Sequence, residues 1–370
     1  MSAAHKRLYV VSATHNRRAT VTQFAQQLKR QTFQEFVLVL VDDGSTDGAA
    51  DAVRSILPDT VVLRGSGELW WAGSLQLAWN WLRKECAHPM SRDQAVLIIN
   101  DDVVMGDDYL EVGYRKLMTT ERTLVLSQLH AVGDGRILDR GVHWDWPKFE
   151  FRLARTPEEV NCLSTRGLFL RAADFLALGG FYPRLLPHYL SDYEFTIRAH
   201  SRGYSLLCAP DVRLGTDPRE SGLPEPDHPA GTRQVLRIIF SKRYHGNPFY
   251  RSVFLLLAAP FPHNVRHIWP QWRPPLKLVY RNLPPLPRAS VRLLVVPLSQ
   301  SLRTLLRQLI HAAHAFAAFL RLLIGAAPHA AHVFLTEVRN TWKIYRASHR
   351  AERDRQSRKL GDRPGTTRPR

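Results

Sequence analysis

Three groups of acidic residues, far apart in the chain, share a setting in which carboxylates could do chemistry. Asp42-Asp43-Gly44-Ser45-Thr46-Asp47 follows the apolar run FVLVLV at 36–41, and Asn100-Asp101-Asp102 follows AVLII at 95–99. Asp192 and Glu194 lie among aromatic residues in His188-Tyr189-Leu190-Ser191-Asp192-Tyr193-Glu194. In the first group a carboxylate can accept the ring N–H of a uracil or thymine, or the hydroxyls of a ribose, and the glycine permits a tight turn beside the ligand. Taken alone, a strand-to-helix turn capped by Ser45 or Asp47 explains this group better.

Carboxylates as close as Asp101 and Asp102 repel unless a cation sits between or beside them. An oxygen-lined site with open positions suits Mg2+ or Mn2+ shared with a diphosphate, and such a metal would neutralise charge on a departing phosphate group. Capping chemistry weighs equally for this pair in isolation. In the third group, partial burial among aromatic rings would raise a carboxylate toward the pKa of a useful base. Arg198 and Arg202 offer the competing account, ion pairing on one helix, and Glu194–Arg198 has the favourable i,i+4 order. Pairing is preferred for Glu194 and the base role for Asp192.

The elements that must hold these residues alternate as in an α/β sheet domain. Leu8–Ala13, Phe36–Val41, Val61–Leu63 and Ala95–Ile99 read as strands, with helices over Ala19–Arg30, Ala49–Ile56 and Ala72–Lys84. The first two acidic groups therefore stand at carboxyl ends of strands, where open α/β sheets bind ligands. Residues 131–190 read as loop-rich, with Trp144 and Trp146 either packing or offering a face to a glycan. Ala172–Leu178 and Tyr193–Arg202 read as helices.

The ordered set resembles the family 2 glycosyltransferases, and within them bacterial rhamnosyltransferase-like members. The residues that carry it are Ser12-Ala13-Thr14-His15-Asn16-Arg17, Gln31-Thr32-Phe33, Val41–Asp47, Leu69-Trp70-Trp71-Ala72-Gly73-Ser74, Asn100-Asp101-Asp102-Val103, Arg166-Gly167, Gly179-Gly180-Phe181-Tyr182 and Leu186–Glu194. The resemblance covers residues 8–215. It implies a GT-A-type nucleotide-diphospho-sugar transferase domain with a mixed, mainly parallel sheet. It also implies Thr14, Asn16 and Asp43 around the base and ribose, Arg17, Trp71 and Gly73 near the donor, and Asp101 at the diphosphate. Asp102 would be the ligand of a Mg2+ or Mn2+ cofactor and Asp192 the general base of an inverting displacement. Many relatives carry an acid where Asn100 stands, a histidine after the last strand where this chain has Val212–Asp217, and a glutamate where Ser191 stands.

Charge divides the chain of 370 residues and net charge +18. Residues 1–225 hold 26 Lys and Arg against 28 Asp and Glu, and residues 226–370 hold 25 against 5. The expected organisation is a transferase domain over 1–225, a helical and proline-rich connection over 226–298, an amphipathic basic helical segment over 299–348 and a disordered basic tail over 349–370. In 299–324, leucines and phenylalanines share one broad side, with Arg303, Arg307 and Arg321 opposite. That pairing points to an anionic membrane surface. Nucleic acid would account for the charge of the tail but not for the broad Leu/Phe side of 299–324, and no base-reading module is present, so no nucleic-acid partner is expected. A helical appendage packed on the body with solvated arginines is the other reading, above all for 235–260. Cys86, Cys162 and Cys208 fit neither a zinc motif nor a disulfide framework. No run of about 18 uncharged apolar residues occurs, so the expected address is cytoplasmic, at the inner face of the plasma membrane.

The function so implied is sugar transfer from a dTDP- or UDP-linked donor, rhamnose among the candidates, to a lipid-linked or growing cell-surface glycan. The alternatives are a nucleotide-sugar-binding scaffold that kept the fold, and a sugar nucleotidyltransferase, which would need glycines that Thr14-His15-Asn16-Arg17-Arg18 lacks.

Overall fold

Alternation within the apolar strands sets the architecture. In β1 (Leu8–Thr14) and β2 (Phe36–Asp42) nearly every residue is buried, as expected of strands covered on both faces. Tyr9, Val11, Val37, Val39 and Val41 face one side, and Leu8, Val10, Leu38 and Leu40 face the other. The computed structural model describes residues 7–85, 91–217, 237–242 and 244–281. They fall within one compact unit, Met1–Leu283. The expected amphipathic segment 299–348 and tail 349–370 lie outside the described residues, as does most of the expected boundary near 225.

The other strands are β3 (Val61–Arg64), β4 (Ala95–Ile98), β5 (Thr123–Ala131), β6 (Ile137–Asp139), β7 (Val142–Asp145), β8 (Glu150–Leu153), β9 (Leu168–Arg171) and β10 (Ser205–Thr216). The main sheet runs β10-β5-β9-β4-β1-β2-β3, with β6 beside β5, and β7 and β8 form a separate hairpin. β9 is antiparallel to both β4 and β5, whereas β4, β1, β2 and β3 pair in parallel, as do β5 and β10. The carboxyl ends of β1 to β5 and β10 therefore share an edge with the amino end of β9. This is the mixed, mainly parallel α/β sheet that the sequence implies.

Helices cover both faces. α1 (Arg18–Lys29) buries Val21, Phe24, Ala25 and Leu28, the i, i+3, i+4, i+7 stripe of a core-facing helix. With α2 (Ala49–Ile56) and α4 (Tyr109–Met118) it covers the Leu8–Leu40 face. α3 (Trp70–Glu85), α5 (Ala172–Leu178) and α6 (Ser191–Ser201) cover the other. α7 (Pro248–Ala258), α8 (His263–Arg266) and α9 (Ile268–Arg281) follow; the Asn247 side chain caps α7 by accepting from Phe249 N at 3.0 Å. α7 packs on the hairpin, with the Phe254 ring 5.0 Å from Trp144. Residues 131–190, expected to be loops, thus hold four short strands, and Trp144 is a core residue with 3% exposure. α9 runs through Pro274 and Pro275, within the stretch 226–298 expected to be helical and proline-rich.

Candidate active site

Polar residues of the loops that follow β1 and β4 meet. Arg17 Nη1 donates to Asp101 Oδ1 at 2.8 Å, and Arg17 Nη2 to Asp102 Oδ2 at 3.4 Å. Asp101 is 3% exposed; its Oδ2 and the Thr14 Oγ1 are buried with no well-formed hydrogen bond, although the Thr14 hydroxyl lies close enough to favour the ionised carboxylate. Burial pushes the Asp101 carboxyl up to about 6, against the opposing pull of Arg17 and with a further push from Asp102. A buried carboxylate oxygen that is poorly satisfied is expensive, so this spot can take a cation or donor from outside the chain. The far end of β10 closes the same corner: Thr216 Oγ1 donates to the Asp102 carbonyl at 3.1 Å, and Val104 pairs with Gly215.

At the end of β2 the two aspartates differ. Asp42 is fully buried, accepts from Ser45 N at 2.9 Å and is ion-paired with Arg64. Asp43 turns the other way and gathers the loop before α3. Its Oδ1 accepts from Gly67 N at 2.7 Å, and its Oδ2 from Leu69 N at 2.9 Å and Trp70 N at 3.2 Å. Gly44 follows at φ +73, with Gly67 packed so closely that a side chain at Gly44 would strike its backbone. Trp70 sits at φ +58, a strained conformation for a bulky residue and of the kind that collects at functional sites. Asn16 joins the same turn, its Oδ1 accepting from Thr46 N at 2.9 Å.

A hub at 163–166, just before β9, joins the remaining parts. Trp71 Nε1 donates to Thr165 Oγ1 at 3.0 Å, which ties α3 to it. Trp71 also packs against the core, so its indole serves structure whatever else it touches. Gly73 lies in the first turn of α3, 3.1 Å from N to the Leu69 carbonyl. Buried Thr196 donates to the Leu163 carbonyl at 2.8 Å and accepts from Leu163 N at 3.0 Å, which ties in α6. The first turn of α6 therefore presents Asp192 beside Arg166. Burial pushes Asp192 up to about 6, Arg166 opposes this, and the carboxylate of Asp139 adds to it. Its neighbour Glu194 is engaged as expected: Arg198 Nε donates to Glu194 Oε1 at 2.7 Å inside the fold.

Asp43, Asp101, Asp102 and Asp192 thus all stand at the edge formed by the strand carboxyl ends and the head of β9. Among the described residues, no three of His, Cys, Asp and Glu gather to hold a metal without outside ligands. The pair Asp101 and Asp102 still fits a hard divalent cation, which binds through one or two carboxylates plus water and phosphate oxygens. The poorly satisfied Asp101 Oδ2 is the observation that supports this fit. Sequence reasoning gave no role to Arg166 and Asp139, although Arg166-Gly167 stands out in the sequence as a charged residue before a glycine at a strand start.

The sequence of residues 9–175 matches the family model described as Glycosyl transferase family 2. No curated protein matches the chain. Among solved structures, the mannosyltransferase PcManGT from Pyrobaculum calidifontis, in complex with GDP-Man and Mn2+, is 17% identical with a TM-score of 0.44, covering 92% of this chain and 89% of that one. GalNAc-T7 with UDP, GalNAc and Mn2+ is 14% identical with a TM-score of 0.49, over 70% of this chain and 52% of that one, about half its length. TarS 1–349 from S. aureus is 16% identical with a TM-score of 0.45, over 75% and 81%. The sequence match takes in β1 through the middle of α5 and both acidic groups after β2 and β4, while Asp192 lies beyond it. Over residues 9–175 the chain is similar in sequence to the family 2 glycosyltransferases.

Proposed function

We propose that the chain is an inverting, metal-dependent transferase that moves a sugar from a dTDP- or UDP-linked donor, rhamnose being favoured by the sequence resemblance, to a lipid-linked or growing cell-surface glycan. The observation that carries this is the buried, poorly satisfied Asp101 Oδ2 beside Asp102 and Arg17, at the sheet edge where Asp192 also stands. Asp102, with Asp101 alongside, would hold Mg2+ or Mn2+. When bound, that cation supplies charge neutralisation to the departing nucleoside diphosphate. Arg17 would share the diphosphate, since its guanidinium already bridges both carboxylates and is 39% exposed toward solvent.

Thr14, Asn16 and Asp43 frame the base and ribose in this reading. Asp43 does so chiefly by fixing the Gly67–Trp70 loop, because both its oxygens are used there. Asp192 takes the proton from the acceptor hydroxyl as that oxygen attacks the anomeric carbon, and a carboxylate held near pKa 6 suits the task close to neutral pH. Among the described residues no helix is long and apolar enough to cross a membrane. The strongly basic stretch after residue 226 supports attachment to an anionic membrane surface, at its inner face, as the way to a lipid-linked acceptor. A thermal-shift panel of nucleoside diphosphates and nucleotide-sugars with Mn2+ tests the donor assignment. Stabilisation by dTDP- or UDP-linked compounds supports it, and a shift produced by neither opposes it. Inversion is read from the anomeric configuration of the product by NMR.

A further inference from the structure

α8 and α9 have their polarity turned outside in. The inward row is His267, Gln271 and Pro275, at spacings of four, with His267 and Pro275 buried and the His267 ring stacked on Phe149 at 5.5 Å. Gln271 Oε1 accepts from Arg251 Nε of α7 at 2.6 Å, and adjacent Trp272 donates its indole N–H to Ser252 Oγ at 3.0 Å. The opposite side is apolar and exposed: Val265 is 58% exposed, Trp269 62% and Leu276 48%, at spacings of four and seven, with Phe261, 49% exposed, just before α8. One position round the helix from it, Arg266, Arg273 and Lys277 are all exposed.

A soluble helix places its apolar stripe inward, and an exposed apolar row marks an interaction surface. Cations along the flank of such a row are the arrangement of an interfacial helix, whose apolar side chains enter the acyl boundary while Arg and Lys reach phosphates. The sequence gives the charge complement. From residue 228 to 336 there are 14 Lys and Arg and no Asp or Glu. The partner is therefore anionic, and the large exposed Trp and Phe select a lipid surface over an acidic protein or a nucleic acid.

We infer that the Phe261–Leu276 face docks on an anionic phospholipid bilayer, carrying the active site to a membrane-borne acceptor. The purpose of docking rests on the proposed function; the docking itself needs no turnover and is measured separately. The full chain is floated with vesicles of phosphatidylglycerol in phosphatidylcholine and with phosphatidylcholine alone. The wild type floats with the anionic vesicles. Val265→Ser with Trp269→Ser, and Arg266→Gln with Arg273→Gln and Lys277→Gln, each lower the partition coefficient about tenfold or more. Brominated acyl chains quench tryptophan emission of the wild type, and Trp269→Phe loses that part of the quenching, a readout that does not depend on the multiple variants folding. The inference is overturned if the variants float like the wild type, which would assign binding to the chain beyond 281. It is equally overturned if the wild type is a dimer that Val265→Ser with Trp269→Ser splits, which would make a second copy the occupant. Donor hydrolysis in solution without vesicles stays unchanged in these variants, and its absence in the wild type would count against the proposed function alone.

Discussion

Arg17 and Asp101 are 84 positions apart in sequence and meet as an ion pair, Nη1 to Oδ1 at 2.8 Å, with the anion buried and the cation reaching in from the solvent side. The pair joins the end of β1 to the end of β4, and Arg17 also extends to Asp102. Its removal leaves a buried carboxylate without its counter-charge and with only the Thr14 hydroxyl and backbone to favour ionisation. A charged hydrogen bond contributes about 1.5–3 kcal/mol, so Arg17→Ala should lose roughly tenfold to a hundredfold in kcat/KM. In the metal-free protein it should also move the Asp101 pKa above about 6. Steady-state kinetics and carboxyl NMR titration check the two effects.

Asp192 works as a base only when ionised, and its carboxyl is held at about 6. Transfer rate should therefore rise with pH through about 6 and level above it. Asp192→Asn should abolish that limb and cost about 10²–10⁴ in transfer while donor binding persists. The same shift has a stability consequence. Between the unfolded value near 3.8 and the folded value near 6 the native state binds more protons, so ionisation of Asp192 lowers stability as pH rises across that window. Asp192→Asn should thus raise Tm at pH 7–8, by on the order of 1–3 kcal/mol in stability, and leave it unchanged below about pH 4.

Arg198 is buried, paired with Glu194, and donates to the carbonyls of Leu178 and Gly180, so it pins the end of α5 to α6. Breaking a buried pair from one side strands the other charge, at about 3–5 kcal/mol. Arg198→Met should lower Tm by several degrees in a thermal melt and loosen Asp192 with it.

Gly65 tests the Asp43 clasp by sterics alone. A methyl group there would come within 2.5 Å of Asp43 Oδ1 and 2.9 Å of Asp43 Cα. Gly65→Ala should displace the Asp43 carboxylate and weaken donor affinity about tenfold or more, with a smaller loss of fold stability. Calorimetric titration with the donor against a thermal melt separates the two.

The sheet was legible because FVLVLV and AVLII are buried on both faces and end abruptly in carboxylates. The i,i+4 spacing of Glu194 and Arg198 likewise announced their pairing. What sequence could not show depends on loops that return from elsewhere. Nothing local to Asp43 reveals that Gly67, Leu69 and Trp70 turn their amides toward it, and the partnership of Arg17 with Asp101 exists only once β1 and β4 lie side by side. The antiparallel insertion of β9, which delivers Arg166 to Asp192, is a matter of topology that periodicity does not encode. The bounds of α9, within a stretch expected to be helical and proline-rich, were not legible because Pro270, Pro274 and Pro275 argue against a helix locally, while contacts with α7 hold it.

The central claim is that Asp102 and its neighbour hold a divalent cation against the donor diphosphate. Turnover of the donor with and without Mn2+, in wild type and in Asp102→Ala, tests it most directly. Mn2+-dependent turnover in the wild type that falls at least a hundredfold in the variant is the expected result, in line with the loss of about 3 kcal/mol of transition-state stabilisation. Undiminished turnover in Asp102→Ala, or a wild type indifferent to Mn2+ and Mg2+, would contradict the account.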